Sequence, residues 1–517
     1  MSHLEASDCS DEVFEVLLSV RSKGVKLWEE NGRVRYAAPV GVLTTEELQS
    51  LKTRKGEIAK FLREEVAIQG PYPRSRTNTG RLPLAYSQLA HWNLYQLAHR
   101  PSVRNIASAT RLRGELEIDL FRKSVTEVVR QHEALRTKIA VENGMPVQEV
   151  TDAVEFDLLY DDLTALPQRA RGIEVQNRAK RILLQPIDVT SDPLVAMHLL
   201  RLEADEHVFI VAMEHMVSDA YSVSVLLRDL SLAYKHACRG RPIRLPVVPV
   251  QFADFAVWQR EIWPAWLKLH GRFWEERLAG CDRIRFPSRV SETNLKGWGV
   301  VRFQIERCLK EELRNSARSR QTTLAMIVFT AYAGLLFRWC EVSDAVILYQ
   351  TDGRRYPKIE GAVGYFASLL YLRMELFDND DFLDLMERLV REYCAAYEHA
   401  DFSYFESQQP RPAFTRNSCF NWRPEFPNGE SVNIDTPHGP FDASQVSIEY
   451  DHLENFDRDT EPIVILVDAE HVIDIQVMFS LSRFEYEEMK RFGANLLRFI
   501  RALVQSPRQK IRDILLL

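Results

Sequence analysis

The chain has 517 residues, 46% hydrophobic and 27% charged, the composition of a folded globular chain, which excludes a disordered or collagen-like one. Its 66 Lys and Arg against 73 Asp and Glu leave a net charge of −7, which gives no support to nucleic-acid binding. Seven scattered cysteines, at 9, 238, 281, 308, 340, 394 and 419, include no C-x-x-C pair, so neither a disulfide framework nor a zinc site is expected and a reducing cytoplasm is the expected setting.

The first twelve residues, MSHLEASDCSDE, are acidic and polar, unlike a signal peptide. No apolar run approaches the roughly 18 residues that a membrane span needs. Residues 11–23 predict an amphipathic helix, with Val13, Phe14, Val16, Leu17 and Val20 at helical spacing and Gly24 as its stop. Val25 to Trp28 alternates apolar and polar, Asn31-Gly32 is a strong hairpin turn signal, and Val34-Arg35-Tyr36 is the return strand. After Ala38-Pro39, Thr44-Thr45-Glu46-Glu47 opens a helical region whose apolar face is Leu48, Leu51, Ile58, Phe61 and Leu62. Residues 69–80, QGPYPRSRTNTG, lack periodicity and read as a linker.

Residues 1–68 are therefore expected to form a small separate α/β module. Between 21 and 63 it carries ten Lys/Arg against five Asp/Glu. It is either a stabilising appendage with a solvated basic face or a docking module. In the docking case a hairpin edge takes a strand from a partner, and Lys26, Arg33 and Arg35 favour an acidic peptide. The run GVKLWEENGRVRYAAPVGVLTTEEL closely resembles the N-terminal β-hairpin docking domains of hybrid polyketide/nonribosomal peptide assembly lines. The resemblance spans about residues 11–66. It implies that Lys26, Trp28, Arg33 and Arg35 bind a short linear motif at the C-terminus of an upstream protein.

From 81 to 517 helical and strand patterns alternate. Val208 to Met213 reads as a short buried strand, and residues 219–237 as a helix burying Val223, Leu226, Leu227, Leu230, Ala233 and Tyr234, with Asp219 placed to cap it. A second unit runs from helix 322–339 to strand 345–350. The polar stretch 291–299 separates two α/β lobes, expected at 81–290 and 291–517.

The chemical constellation is Met213-Glu214-His215-Met216-Val217-Ser218-Asp219-Ala220, on the loop between that strand and helix. A loop there lets a side chain face a cleft while the scaffold fixes it. His215 suits general base chemistry near neutral pH. On spacing alone, H-x-x-x-D is equally a packed histidine and a helix cap.

The stretch resembles the H-H-x-x-x-D-G signature of nonribosomal peptide condensation domains. Other blocks of that family recur in order. Leu84 to Trp92 resembles the opening motif, and Gln131-His132-Glu133-Ala134-Leu135-Arg136-Thr137 the R-H-E-x-L-R-T block. Phe252 to Trp258 resembles Y-x-D-Y-A-V-W and is followed by Phe273 to Gly280. Asp352-Gly353-Arg354 and Gly364-Tyr365-Phe366 match later blocks, and Pro507 to Leu517 matches the family's end. The resemblance implies an α/β fold of two chloramphenicol acetyltransferase-like lobes forming a V with a central tunnel, preceded by the docking domain. It implies His215 as the catalytic histidine, and Asp219 paired with Arg354 for architecture. Three positions depart from the pattern. Glu214 stands at the first histidine, Ala220 at the glycine, and Ser368-Leu369 where Asn-Thr usually follows. Glu214 is either a structural replacement, which is preferred, or a carboxylate that tunes His215. Trp298, in Lys296-Gly297-Trp298-Gly299, resembles a Gly-Trp-Gly motif of coenzyme A acyltransferases without its Asp-Phe, and is read as coincidence. His132, His270 and His399 read as packing or surface residues.

The chain stops where the condensation pattern ends, so both substrates are expected from outside. An upstream carrier protein brings an acyl thioester on its own phosphopantetheine arm, and the acceptor is a small molecule or a second carrier-bound group. No metal and no cofactor of its own is implied. The layout resembles the enacyloxin type of chain-releasing condensation enzyme, which forms an ester. The alternatives are a non-catalytic recruitment platform of the same fold and a coenzyme A-dependent acyltransferase.

Overall fold

The computed structural model describes residues 13, 16–17, 19–20, 25–30, 33–38, 43–69, 73–76, 80–97, 105–152, 156–287, 297–400, 412–424, 434–436, 439–446, 461–469 and 471–517. Cys9, Gly24, the turn residues Asn31 and Gly32, Pro39, most of the expected helix 11–23 and the stretch 291–296 lie outside the described residues.

In the first module β1 (Lys26–Glu30) pairs antiparallel with β2 (Arg33–Ala37), Trp28 opposite Arg35 and Glu30 opposite Arg33. Helices α1 (Thr45–Thr53) and α2 (Lys55–Gln69) follow. Thr44 caps α1 through a capping box. Its hydroxyl accepts the Glu47 amide at 3.1 Å, and the Glu47 carboxylate accepts the Thr44 amide at 2.9 Å. Val13, Leu17, Val20, Val25, Leu51, Ile58 and Leu62 form a core of their own, with Leu27 and Val34 packed on it. The two-residue period of the strands therefore sets Trp28, Arg33 and Arg35 on the opposite face, where both arginines are exposed.

Part of the linker is strapped to the large region. Ser75 Oγ donates to the Pro249 carbonyl at 2.6 Å. The Arg76 guanidinium lies between Asp254 at 2.7 Å and Glu133 at 2.8 Å, and Asp254 also accepts the Arg76 amide at 3.0 Å. A lack of periodicity marks missing secondary structure, not missing contacts.

The large region holds two six-stranded sheets. The second is β10 (Trp298–Ile305), β17 (Ile473–Ser480), β16 (Ile463–Asp468), β13 (Cys419–Pro424), β11 (Asp344–Thr351) and β12 (Ser368–Glu375), in that spatial order. After α7 (Phe252–Arg277), helices α8 (Arg307–Ser319), α9 (Leu324–Trp339), α10 (Phe382–Glu398) and α11 (Tyr486–Gln505) belong to this lobe. Trp298, read as part of a separating stretch, is buried in β10. A three-stranded sheet of β3 (Arg81–Pro83), β6 (Met145–Val150) and β5 (Thr137–Glu142) stands apart.

The first sheet runs β14 (Ile434–Thr436), β15 (Gly439–Val446), β4 (Asn105–Arg113), β9 (Glu206–Glu214), β8 (Val195–Glu203), β7 (Leu159–Asp162). Two of its strands come from late in the chain, and β15 pairs antiparallel with β4. The chain thus crosses back from the second lobe into the first, which the linear reading of two consecutive lobes did not contain. Strand β9 is buried on both faces. Phe209, Val211 and Met213 point into the main core, beneath α4 (Ile118–Gln131) and α6 (Ala220–Cys238). Val208, Ile210 and Ala212 point into a second cluster with Val175, Ala179 and Ile182 of α5 (Gln168–Leu183). That is why the run reads as continuously apolar. The main core is continuous across both lobes, from Leu84 to Ile514. Among the described residues no single helix is long and apolar enough to cross a membrane.

Candidate active site

Strand β9 ends at Glu214, a turn carries His215 to Val217, and α6 begins after Asp219. Asp219 caps α6 with extended backbone. Its carboxylate accepts the Ser222 amide at 2.8 Å, and the Ser222 hydroxyl faces back at the Asp219 amide at 3.2 Å. Two residues of α3 (Tyr86–Leu97) hold the loop and the facing lobe. Gln88 Nε2 donates to the Met216 carbonyl at 3.0 Å, and Ser87 Oγ donates to the Tyr365 carbonyl at 3.0 Å.

From Glu214 to Asp219 every side chain is buried except His215, which is half-buried. Its Nδ1 lies 2.8 Å from the Ser218 carbonyl. A carbonyl only accepts, so Nδ1 carries hydrogen and the neutral ring keeps its lone pair on Nε2. The Glu214 carboxylate accepts the Met216 amide, and the Glu214 carbonyl accepts the Ser218 hydroxyl at 3.0 Å. Glu214 thereby braces the turn. Its charge also reaches Tyr95 of α3, whose hydroxyl is pushed up to about 12 by burial first, then by its bond to Asp188, with Glu214 a smaller cause.

Asp219 and Arg354 meet across the lobes, both buried. Arg354 donates from two nitrogens to the two carboxylate oxygens, at 2.7 and 3.1 Å. The amides of Phe366 and Ala367 donate to the same carboxylate at 3.1 Å each. Burial alone pushes the Asp219 carboxyl up, but the Arg354 charge and the bonds from Arg354 and Ser222 outweigh it and hold it below its ordinary range. The Arg354 guanidinium lies 4.5 Å over the Tyr221 ring and 4.6 Å over the Phe366 ring.

Two residues that the sequence reading passed over complete the surroundings of His215. The Tyr365 ring centre lies 4.4 Å from it, and the His91 ring meets it edge-on at 4.9 Å. Tyr365 itself lines a small open cleft beside it, with Ser87, Arg355, Phe366, Ser368 and Tyr397. Ser368, one of the departures from the family pattern, is thus a wall of that cleft. His91 stands inside the opening block and Tyr365 inside a later one. Block matching treats each as a position in a pattern, not as an imidazole or a hydroxyl.

Of the other histidines, His132 and His270 are buried packing residues and His399 is half-buried. His132 and Asp229 are fully buried together, 2.9 Å apart. His270 and His399 meet Nδ1 to Nδ1 at 2.6 Å, and burial, then His270, pushes His399 down to about 3. Among the described residues no group of three or more His, Cys, Asp or Glu is arranged to hold a metal. On the first module Trp28, Arg33 and Arg35 share a face, as described. The Lys26 side chain lies outside what the structure describes.

Comparison with known proteins gives the same picture. The condensation-domain family profile matches residues 78–517, and that of the TubC N-terminal docking domain matches residues 13–64. A linear gramicidin synthase polypeptide of Brevibacillus parabrevis is 32% identical over 333 residues, which are 62% of this chain and 6% of that protein. Chondramide synthase cmdD of Chondromyces crocatus is 27% identical over 452 residues, 86% of this chain and 11% of that protein. The chain therefore spans a small part of the length of these relatives. Among solved structures, a chain from the complex of the X-domain and OxyB from teicoplanin biosynthesis superposes with a TM-score of 0.71 at 22% identity, covering 86% of this chain and 98% of that one. The fold is thus the mixed α/β, chloramphenicol acetyltransferase-like one. With the profile matched over most of its length, and with the strand–loop–helix that carries His215, the chain belongs to the condensation-domain family and bears an N-terminal docking domain of the TubC type.

Proposed function

We propose that this chain takes an acyl chain from the phosphopantetheine thioester of an upstream carrier protein and transfers it to a hydroxyl or amine acceptor, with ester formation releasing the acyl chain. The observation that carries the transfer is His215, the one side chain of its loop that leaves the core, with the lone pair on Nε2. A thioester is already activated, so the protein has to position two reactants and manage one proton. The acceptor O–H or N–H becomes acidic as its heavy atom attacks the thioester carbon, and Nε2 takes that proton. The tetrahedral intermediate then expels the thiolate, and the imidazolium returns the proton to sulfur. Asp219 and Arg354 do not touch the reaction. They lock the loop that holds His215 to the facing lobe. The phosphopantetheine arm belongs to the carrier, which the docking domain recruits through a C-terminal short linear motif. The ester preference rests on the likeness to the enacyloxin type of releasing enzyme. A recruitment-platform reading is favoured by the departures from the motif at Glu214 and Ser368.

The test is intact-mass measurement of acyl loss from a loaded carrier, offered matched hydroxy and amino acceptors both free and carrier-bound. His215→Ala is expected to lose about 10²–10⁴ in rate at an unchanged melting temperature. Wild-type turnover in that variant overturns the assignment. A wild-type protein that binds carrier and never transfers is the platform, and transfer only to a carrier-bound amine overturns ester release.

A further inference from the structure

Tyr365 is fixed to an unusual degree. Its neighbour Gly364 donates its amide to Ser222 Oγ at 3.1 Å and faces the same hydroxyl with its carbonyl at 2.9 Å. Its own carbonyl accepts Ser87, and the amides of Phe366 and Ala367 are held on Asp219. No side chain larger than hydrogen fits at Gly364, because a Cβ there would lie 2.4 Å from the Phe252 ring. The backbone on both sides of Tyr365 is therefore anchored to the loop of His215. Its ring stands 4.4 Å from the imidazole and forms a wall of the cleft. The Tyr365 hydroxyl lies 3.4 Å from Nε2 of His91, and the His91 ring also packs at 4.9 Å on both His215 and Tyr365. Three rings from three parts of the chain thus meet at one point, and two of them have no part in the transfer as described above.

We propose that Tyr365 is a second catalytic residue of this site, whose hydroxyl donates to the developing oxyanion, and that His91 is the positioning residue that aims it. The inference rests on the acyl-transfer reading above. When the acceptor attacks, the new C–O or C–N bond forms, the carbonyl π pair moves onto oxygen, and the acceptor proton goes to Nε2 of His215. The oxygen then carries a full negative charge with a base on one side only. Tyr365 supplies the donor on the other side, from a position that needs no reorganisation at the moment of reaction. A tyrosine hydroxyl has one hydrogen and accepts through its oxygen. In the tautomer that places hydrogen on Nε2, His91 donates to the Tyr365 oxygen, and the Tyr365 hydrogen points away from His91. Collapse of the intermediate restores the carbonyl, breaks the C–S bond, and moves the proton from His215 to sulfur. Tyr365 and His91 keep their own hydrogens throughout.

The experiment compares five variants of the full chain with a loaded carrier donor, reading kcat, KM and melting temperature. Tyr365→Phe keeps the ring and loses only the hydroxyl. It is expected to lose on the order of 10² in kcat with KM held, the usual cost of one oxyanion donor. His91→Phe keeps a ring but no N–H, and should lose as much. His91→Gln keeps an N–H at similar reach and should recover most of the rate. The double variant Tyr365→Phe with His91→Phe should be no worse than Tyr365→Phe alone, because His91 acts through the hydroxyl. Tyr365→Phe within twofold of wild type overturns the proposal. A silent His91→Phe beside a damaged His91→Gln, or losses that multiply in the double variant, overturns the part given to His91. His215→Ala runs alongside. If it turns over normally, the acyl-transfer reading has failed. If it is dead while Tyr365→Phe is not, only this inference has.

Discussion

Asp219 is buried among six donors, two each from Arg354 and Ser222 and the amides of Phe366 and Ala367. Its charge is matched in place, so its removal strands a buried guanidinium. Breaking a buried pair in this way costs about 3–5 kcal/mol. Asp219→Ala should therefore lose activity and melting temperature together, while His215→Ala loses activity alone. An Asp219→Ala protein that melts like wild type and is merely slow would put Asp219 in the chemistry instead. The sign of the pH dependence comes from the same geometry. The folded carboxyl sits below its ordinary 3.8, so its contribution to stability is complete above about pH 4 and is lost as pH falls through the lower folded value. Between those two values the unfolding free energy of wild type should fall more steeply than that of Asp219→Asn. At this scale the sequence was informative where partners are neighbours. The place of His215 and the cap at Asp219 derive from a strand, a turn and a helix in a row. Glu214, the last residue of the strand, is buried and accepts the Met216 amide, a structural part that suits the preferred reading of that position. His91 was illegible because what makes it matter, Tyr365, comes from the other lobe.

Among the elements, the connection from β11 to β12 does the most to shape the site. It begins at Asp352-Gly353-Arg354 and must bring the Arg354 side chain onto Asp219. Gly353 has φ of +66°, and a Cβ there would lie 1.7 Å from the Phe366 carbonyl oxygen. The obstacle is backbone, which cannot swing aside as a side chain would. Gly353→Ala should cost about 3 kcal/mol or more, combining the strained backbone with that collision. It should also depress transfer by displacing Arg354 and the Tyr365 segment together. Equal melting curves for Gly353→Ala and wild type would show that the connection relaxes freely. Strand β9, helix α6 and helix α9 were all visible in the sequence as apolar runs or helical stripes with a cap. Strand β15 was not. Hydrophobic pattern identifies an element by its own period and says nothing of its partner, and the partner of β15 is β4, far upstream. The same blindness hid the strap at Arg76, whose partners Glu133 and Asp254 lie on two separate helical elements.

On the scale of the whole molecule, the two lobes are tied together at more than one place. The Asp219–Arg354 pair, the Ser87–Tyr365 bond and the crossing of β15 into the first sheet all join them, and the apolar core runs through both. The first module is organised the other way, with a core of its own and an outer hairpin face that carries Arg33 and Arg35 exposed beside Trp28. On the function proposed above, a reaction site and a hairpin face built on separate cores should come apart. Arg33→Glu with Arg35→Glu leaves the module's core untouched, since neither side chain belongs to it. Toward the acidic peptide proposed as the partner, each reversal replaces an attraction with a repulsion, and exposed pairs contribute about 0.2–1 kcal/mol each. The double reversal should then raise KM for a carrier-bound donor by about 10-fold and leave kcat alone. A small thioester that lacks a carrier should react at the wild-type rate, because it never meets the hairpin. Salt should act in the same direction on wild type, since the screening length shrinks from about 10 Å at 0.1 M to about 3 Å at 1 M. The charge-reversed protein has a repulsion to screen instead, so its KM should fall as salt rises. A KM for carrier-bound donor that ignores both the reversal and the salt would mean that this module does not recruit the donor.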